Sequence, residues 1–187
     1  MFIDKQGKLR KPVAYLADFE MFLPSCPQTV RYWKSVCDKY GIIGLFPGEG
    51  DPIQPGDDYW QRVFDHDYDW MKYCDMCIAQ LDDWRGHECD SGTLFELGYF
   101  VALGMPSYGF YTGNKPMLER KIEKRLDEGV WYDADGFMIE DRGSAFDNIL
   151  SLVKIADSFE EACRWARADF DRQLIEAGYE PYRSEDK

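Results

Sequence analysis

Short apolar runs alternate with longer helical stretches along most of the chain, and this alternation narrows the possible folds more than any other feature. The apolar runs predict strands over 12–17, 42–46, 76–81, 107–111 and 150–156. The stretches between and after them predict helices over 28–40, 58–73, 92–103, 116–128 and from about 158 to 177. Strands separated by helices build parallel βαβ units. The expected fold is therefore α/β, a flavodoxin-like or Rossmann-like doubly wound sandwich around a five-stranded parallel sheet.

All 187 residues are expected to form a single α/β domain, because no repeat or shift in composition divides the chain. Hydrophobic residues make up 45% of it, which suffices for a substantial core. Residues 1–11 are predicted to be a polar N-terminal arm, 178–187 a polar C-terminal tail and 130–147 irregular. Three prolines and three glycines in 47–57 indicate a loop of the kind that often covers a site.

The charge balance excludes two classes of partner. Lys and Arg total 22 against 35 Asp and Glu, a net charge of −13. A nucleic-acid backbone or an anionic membrane surface needs a basic face, so neither is expected as a partner. No apolar run is long enough for a transmembrane helix, and the N-terminus lacks the apolar stretch of a secretory signal. The expectation is a soluble cytoplasmic protein.

Six cysteines occur in the chain, and without a secretory signal they are expected to be reduced thiols. Cys74 and Cys77 form a C-x-x-C pair, but it ends a predicted helix and enters a predicted strand. A redox pair has the opposite context, and no second pair completes a zinc site. Core packing is therefore favoured over redox or metal chemistry for this pair.

Carboxylates are the side chains with chemical potential at the predicted strand ends. No dinucleotide or phosphate-binding glycine motif occurs, and the chain holds two histidines and no recognised metal-ligand spacing, so neither a cofactor nor a metal is expected. Parallel sheets bind ligands beyond the carboxyl ends of their strands. There the sequence places Asp18, Glu20, Asp82, Asp83, Asp90 and Glu96. An acidic cleft of this kind suggests carboxylate chemistry such as glycosyl transfer.

The segment from residue 85 to residue 99 is the most specific part of the sequence. Gly92 allows a tight bend before a helix whose first amides are free to meet a ligand, which makes it a candidate substrate-binding residue. Glu96 is predicted in the first helical turn, where the helix dipole would lower its pKa and keep it ionised as a nucleophile requires. Thr93 and Glu96 also fit a capping box, in which the glutamate only fixes the helix start. Spacing alone favours the capping interpretation and leaves the catalytic one open.

Residues 84–99 contain two adjacent motifs, Trp-Arg-Gly-His-Glu (84–88) and Asp-Ser-Gly-Thr-Leu-Phe-Glu-Leu-Gly-Tyr (90–99). In both motifs the sequence resembles the nucleoside 2-deoxyribosyltransferase family. Further stretches agree with the family in order along roughly 12–166. They are Val13 to Ala17 with its tyrosine, Leu45-Phe-Pro47, Asp67, 135–140, Asn148-Ile-Leu and 157–162.

The resemblance implies a retaining double displacement on small-molecule substrates, a 2′-deoxynucleoside and a free purine or pyrimidine base. Glu96 would attack the anomeric carbon, release the base and form a deoxyribosyl-enzyme that a second base then collects. Asp67 would move a proton to or from the base. Tyr15 would hold the Glu96 carboxylate through its hydroxyl. Without the resemblance, Asp67 would be interpreted as a solvated acid of an acidic helix. Tyr15 could equally be an aromatic residue of the core.

The remaining expected contacts concern the sugar and the base. Asp90 would accept the 5′-hydroxyl, although it also suits a helix N-cap. Asn148 would complete that pocket from a neighbouring subunit, which implies a homo-oligomer, a dimer or larger; a gap-free count puts Asp147 there instead. Phe19 and Phe22 would stack on the base, or pack within their loop.

Departures from the family pattern bear on substrate range. Asp18 and Phe19 stand where the family commonly has glycine and proline, and Arg142 stands where an aromatic is usual. A carboxylate at Asp90 would repel a phosphate, which favours nucleosides over nucleotides. The alternative function is a nucleoside or nucleotide N-glycosidase of the same fold, which passes the sugar to water. A nucleotide-sensing module without enzymatic activity is a third possibility.

Overall fold

The main sheet has the predicted five parallel strands. The computed structural model describes residues 8–50, 52–86, 88–112, 123–139 and 152–181. The strands in chain order are β1 Val13–Ala17, β2 Ile43–Leu45, β3 Met76–Gln80, β4 Ser107–Phe110, β5 Lys124–Asp127, β6 Val130–Asp133, β7 Met138–Ile139 and β8 Lys154–Ala156. The large sheet has the order β2-β1-β3-β4-β8, and every neighbouring pair is parallel. The order reverses direction beside β1, which makes the sheet doubly wound.

Helices cover both faces of this sheet, as predicted. They are α1 Cys26–Lys39, α2 Tyr59–Tyr73, α3 Ser91–Ala102 and α4 Phe159–Glu176. Alternate residues of β1 and β3 point to opposite faces, so each strand contributes to two cores. Ala14 and Leu16 join the core under α1 and α4, whereas Tyr15 and Ala17 join the core under α2 and α3. The α/β sandwich is confirmed. No helix among the described residues is long and apolar enough to cross a membrane.

A second, antiparallel sheet corrects the prediction for the later part of the chain. Its three strands have the order β5-β6-β7. For these residues the sequence predicted the end of a helix (116–128) and irregular backbone (130–147). Glu128 and Gly129 form the two-residue turn between β5 and β6, and both have positive φ, 47° and 86°. Turns of this handedness match the twist of a hairpin and favour glycine. The charged residues of this segment therefore lie on a hairpin; residues 116–122 and 140–147 lie outside the described ranges.

All six cysteines are free thiols in the structure. Cys74 and Cys77 are buried in the core beneath α2 and α3. Burial raises the pKa of Cys74 to about 12 and that of Cys77 well above its usual value. Thiols that resist ionisation are poor nucleophiles and metal ligands, which supports the core-packing interpretation.

Candidate active site

The carboxyl edge of the sheet brings the expected side chains together. β1 and β3 are parallel neighbours, so the segments that follow Ala17 and Gln80 leave the sheet on the same edge. The first segment forms a short 3-10 turn, Glu20–Phe22, and the second leads into the start of α3.

A hydrogen bond joins the centre of β1 to α3. The hydroxyl of Tyr15 donates to Oε1 of Glu96 at 2.7 Å, which is the contact that the resemblance implies for this pair. Tyr15 is fully buried, and burial together with the charge of Glu96 raises its pKa far above the usual value. The phenol therefore keeps its proton and remains a donor. The described residues supply no other hydrogen bond to the carboxylate, so its second oxygen stays available.

Glu96 differs from the prediction in position and in ionisation. It is the sixth residue of α3, beyond the first turn, and its side chain is half-buried. Burial raises its pKa from 4.5 to about 8, the Tyr15 hydrogen bond opposes this, and the charges of Asp67, Asp18 and Asp90 add to it. The expectation of a lowered pKa was wrong, because burial outweighs the helix dipole, which acts mainly within the first turn.

The start of α3 also excludes the capping box. Asp90 is the N-cap, and its Oδ2 accepts from the backbone N–H of Thr93 at 2.9 Å and from the Thr93 hydroxyl at 3.2 Å. Glu96 therefore takes no part in the cap. A Cβ at Gly92 would lie 3.0 Å from the same Asp90 oxygen, so the glycine leaves room for this cap. The role of Asp90 and Gly92 toward a substrate stays a prediction.

Asp67 lies on α2 beside a histidine that the sequence did not single out. Nδ1 of His66 is 3.1 Å from Oδ1 of Asp67, and the His66 ring packs on Trp70 with centroids 4.6 Å apart. Burial raises the pKa of Asp67, and His66 partly opposes this. The charge of Asp67 reaches both Glu96 and Tyr15. Asp67 therefore interacts electrostatically with the other residues of the site. The sequence analysis did not single out His66 as its partner, although the chain has only two histidines.

Three aromatic side chains form a cluster, here called the aromatic wall, above this edge. Phe19 and Phe22 each lie nearly parallel to Trp84, with centroid distances of 4.9 and 5.6 Å. Phe19 is buried, whereas Phe22 is 57% exposed. The guanidinium of Arg85 lies 4.9 Å from the Trp84 ring centroid. Sequence reasoning named both phenylalanines but missed Trp84, although it begins the motif at 84–88.

One expected part of the site cannot be located, and no metal site accompanies the carboxylates that the structure describes. Asn148 and its alternative Asp147 are outside the described residues, so the expected 5′-hydroxyl contact remains a prediction. Among the residues the structure describes, no group of three or more His, Cys, Asp or Glu side chains is arranged to hold a metal ion.

Comparison with known proteins identifies the family. The family model for nucleoside 2-deoxyribosyltransferase matches residues 14–149, about three quarters of the chain. The chain belongs to the nucleoside 2-deoxyribosyltransferase family. The match contains Tyr15, Asp67 and Glu96, the three residues expected to do chemistry.

Individual relatives match most of the chain. A 2-desoxiribosyltransferase from Leishmania mexicana is 25% identical, with a TM-score of 0.65 over 84% of this chain and 97% of its own. A conserved protein from Enterococcus faecalis V583 shares the fold at 16% identity, with a TM-score of 0.58 over 83% and 99%. An uncharacterized protein from Schizosaccharomyces pombe is 28% identical over 92% of this chain and 94% of its own. Family and fold together indicate a transferase of the deoxyribosyltransferase type, with small-molecule nucleoside and base substrates.

Proposed function

We propose that this member of the nucleoside 2-deoxyribosyltransferase family exchanges the base of 2′-deoxynucleosides, with retention, through a covalent deoxyribosyl intermediate on Glu96. The observation that carries the proposal is the Tyr15–Glu96 hydrogen bond at the carboxyl edge of the sheet. It fixes one carboxylate oxygen and leaves the other for attack. A relative whose name specifies 2-desoxiribosyltransferase shares the fold at 25% identity, which supports the same chemistry here.

In the first half-reaction, the free oxygen of Glu96 forms a bond to the anomeric carbon while the bond from that carbon to the base nitrogen breaks. Asp67 gives a proton to the departing base, and its raised pKa makes the carboxyl better able to hold that proton than an exposed aspartate. The product is a deoxyribosyl ester of Glu96 and a neutral free base. The attack inverts the anomeric configuration.

In the second half-reaction, a ring nitrogen of an acceptor base bonds to the anomeric carbon, and the ester oxygen leaves as the Glu96 carboxylate. Asp67 takes back a proton from the incoming base. Two inversions give net retention. The aromatic wall offers ring faces against which a flat base can stack, and Asp90 would accept the 5′-hydroxyl. Completion of that pocket by Asn148 of a neighbouring subunit would make the working enzyme an oligomer.

The exchange itself is tested with a panel of donor deoxynucleosides and acceptor bases, separated by chromatography, with a water-only control. The expected product is the exchanged nucleoside. Absence of exchange with every purine and pyrimidine would overturn the proposal, and release of free deoxyribose in place of exchange would assign the protein to the N-glycosidases.

Glu96→Gln tests the nucleophile. The amide keeps the shape of the side chain and can accept from Tyr15, but it cannot form the ester, so turnover should fall at least about a thousandfold. Rapid acid quench and mass spectrometry should detect one added deoxyribosyl group on the wild type and none on the variant. A variant that retains substantial turnover would remove Glu96 from the mechanism.

A further inference from the structure

Asp18 is a buried carboxylic acid that the exchange mechanism does not use. It directly follows β1, and only 5% of its surface is exposed. Its Oδ1 accepts from the backbone N–H of Glu20 at 2.6 Å. Its Oδ2 is buried and has no hydrogen-bond partner among the described residues. An unpartnered polar atom is unfavourable in a protein interior. A buried carboxyl that lacks a partner therefore indicates a function other than stabilising the fold.

The bond from Glu20 to Asp18 fixes the beginning of the turn that carries two rings of the aromatic wall. Within that turn, the carbonyl of Phe19 accepts from the N–H of Phe22 at 3.0 Å. The rings of both residues then lie against Trp84. The conformation of the turn therefore determines where the wall stands relative to β1.

We infer that Asp18 is a positioning residue, whose carboxyl holds the turn at 19–22 and thereby sets the aromatic wall for the base. This inference rests on the proposed function for the identity of the substrate, but the contacts of Asp18 with the turn do not depend on that function.

The charge of Asp18 is also felt by the nucleophile. Burial raises the pKa of Asp18 to about 8. The backbone N–H groups of Glu20 and Met21 oppose this rise, and the charges of Glu20 and Asp90 add to it. Asp18 in turn contributes to the raised pKa of Glu96. The titratable groups around it are acids and a thiol: Glu20 in its own turn, Cys26 on α1, Asp90 before α3 and Glu96 on α3. Neutralising Asp18 should therefore make Glu96 easier to ionise.

Two substitutions separate the hydrogen bond from the charge. Asp18→Asn keeps an oxygen that can accept from Glu20 but cannot ionise. It should leave KM for the acceptor base within about twofold and shift the acidic limb of kcat/KM down by about half a pH unit. Asp18→Ala removes both the hydrogen-bond acceptor and the ionisable group. It should raise KM for the base about 5- to 10-fold, the size of one lost aromatic contact, with kcat nearly unchanged.

Asp75→Asn is the matched control for general damage to β1. Asp75 holds the amino end of that strand, where it accepts from the N–H of Val13 at 2.9 Å and from Arg10 at 2.7 Å. This variant should lower stability without the selective change in KM or the shift of the acidic limb. The inference is overturned if Asp18→Ala changes KM no more than the control does, or if Asp18→Asn leaves the limb in place.

Calorimetric titration with adenine and with thymine separates failure of this inference from failure of the proposed function. If the wild type shows no exchange, the proposed function fails, and base binding alone tests Asp18. Weaker binding by Asp18→Ala but not by Asp18→Asn supports the inference. Equal binding by all three proteins, or no binding of either base by the wild type, overturns it.

Discussion

At the scale of single residues, two effects compete over the carboxyl of Glu96. A helix N-terminus stabilises a nearby anion by about 0.3–1 kcal/mol, and each unit of pKa corresponds to about 1.4 kcal/mol. The dipole is therefore worth less than one unit, whereas the pKa of Glu96 rises from 4.5 to about 8. Burial outweighs the dipole, and the Tyr15 hydroxyl is what favours the ionised form.

Tyr15→Phe should therefore raise the apparent pKa of the acidic limb of the pH–rate profile and lower kcat at neutral pH. A hydrogen bond to a charged group is worth about 1.5–3 kcal/mol, so the expected loss is about 10- to 100-fold. Steady-state exchange measured from pH 5 to pH 9 checks both effects.

Tyr108→Phe is the matched control for this loss. Tyr108 is another buried tyrosine of the sheet, and its hydroxyl donates to Asp169 at 2.9 Å, away from Glu96. Its removal should leave the pH profile unchanged. Equal effects of the two substitutions would argue against a specific role for Tyr15.

At the scale of elements, the beginning of α3 decides which acids are free for chemistry. Asp90 caps the helix through Thr93, so Glu96 faces Tyr15 across the site. The sequence motif is compatible with a helix that begins one turn later, where Glu96 would be a capping residue. A shift of the helix start by two or three residues therefore decides whether Glu96 caps the helix or faces Tyr15.

Two glycines of α3 test this geometry. A Cβ at Gly98 meets nothing within 4 Å, so Gly98→Ala should raise the free energy of unfolding by about 0.5–1 kcal/mol. A Cβ at Gly92 would lie 3.0 Å from Asp90 Oδ2. Gly92→Ala should therefore gain nothing or destabilise, and should also weaken exchange if Asp90 binds the sugar. Urea unfolding measures both variants, and equal stabilisation would contradict the crowded cap.

At the scale of the whole molecule, the site makes stability depend on pH. Asp18 and Glu96 both have a pKa near 8 in the folded protein, against ordinary values of 3.8 and 4.5. Between about pH 4 and pH 8, the folded state thus binds more protons at these groups than the unfolded state does. Their contribution to stability falls as pH rises through this window and levels off above it. These two carboxyls therefore contribute most to the free energy of unfolding when they are protonated, and their ionisation destabilises the folded state.

Asp18→Asn and Glu96→Gln should therefore be more stable than the wild type by a margin that grows from about pH 4 to about pH 8. The margin should reach at least about 1 kcal/mol for each variant at pH 9. Urea unfolding at a series of pH values measures it. A margin that stays constant or shrinks with rising pH would contradict the raised pKa values.

Much of the fold was predictable because it depends on local patterns. The five main strands and their parallel direction follow from alternating apolar runs and helices. The last helix was expected from about residue 158, and Ser158 caps it by accepting from the N–H of Glu161. The hairpin of β5 and β6 was missed, because its strands carry charged residues and only Gly129 marks the turn. In the site, Tyr15 and Glu96 were named through the resemblance. Trp84 was missed because its ring partners Phe19 and Phe22 are distant in the chain, and His66 was overlooked although it is adjacent to Asp67.

The sequence by itself determined the fold class and the family, since both reside in the order of short motifs along the chain. Only the tertiary structure decided how those residues behave. The pKa of Glu96 depends on burial beneath neighbouring elements, and its partner Tyr15 is 81 positions away. The burial of the unpartnered oxygen of Asp18 is likewise a result of packing. Burial and contacts between distant residues are properties of packing, and no local pattern encodes them.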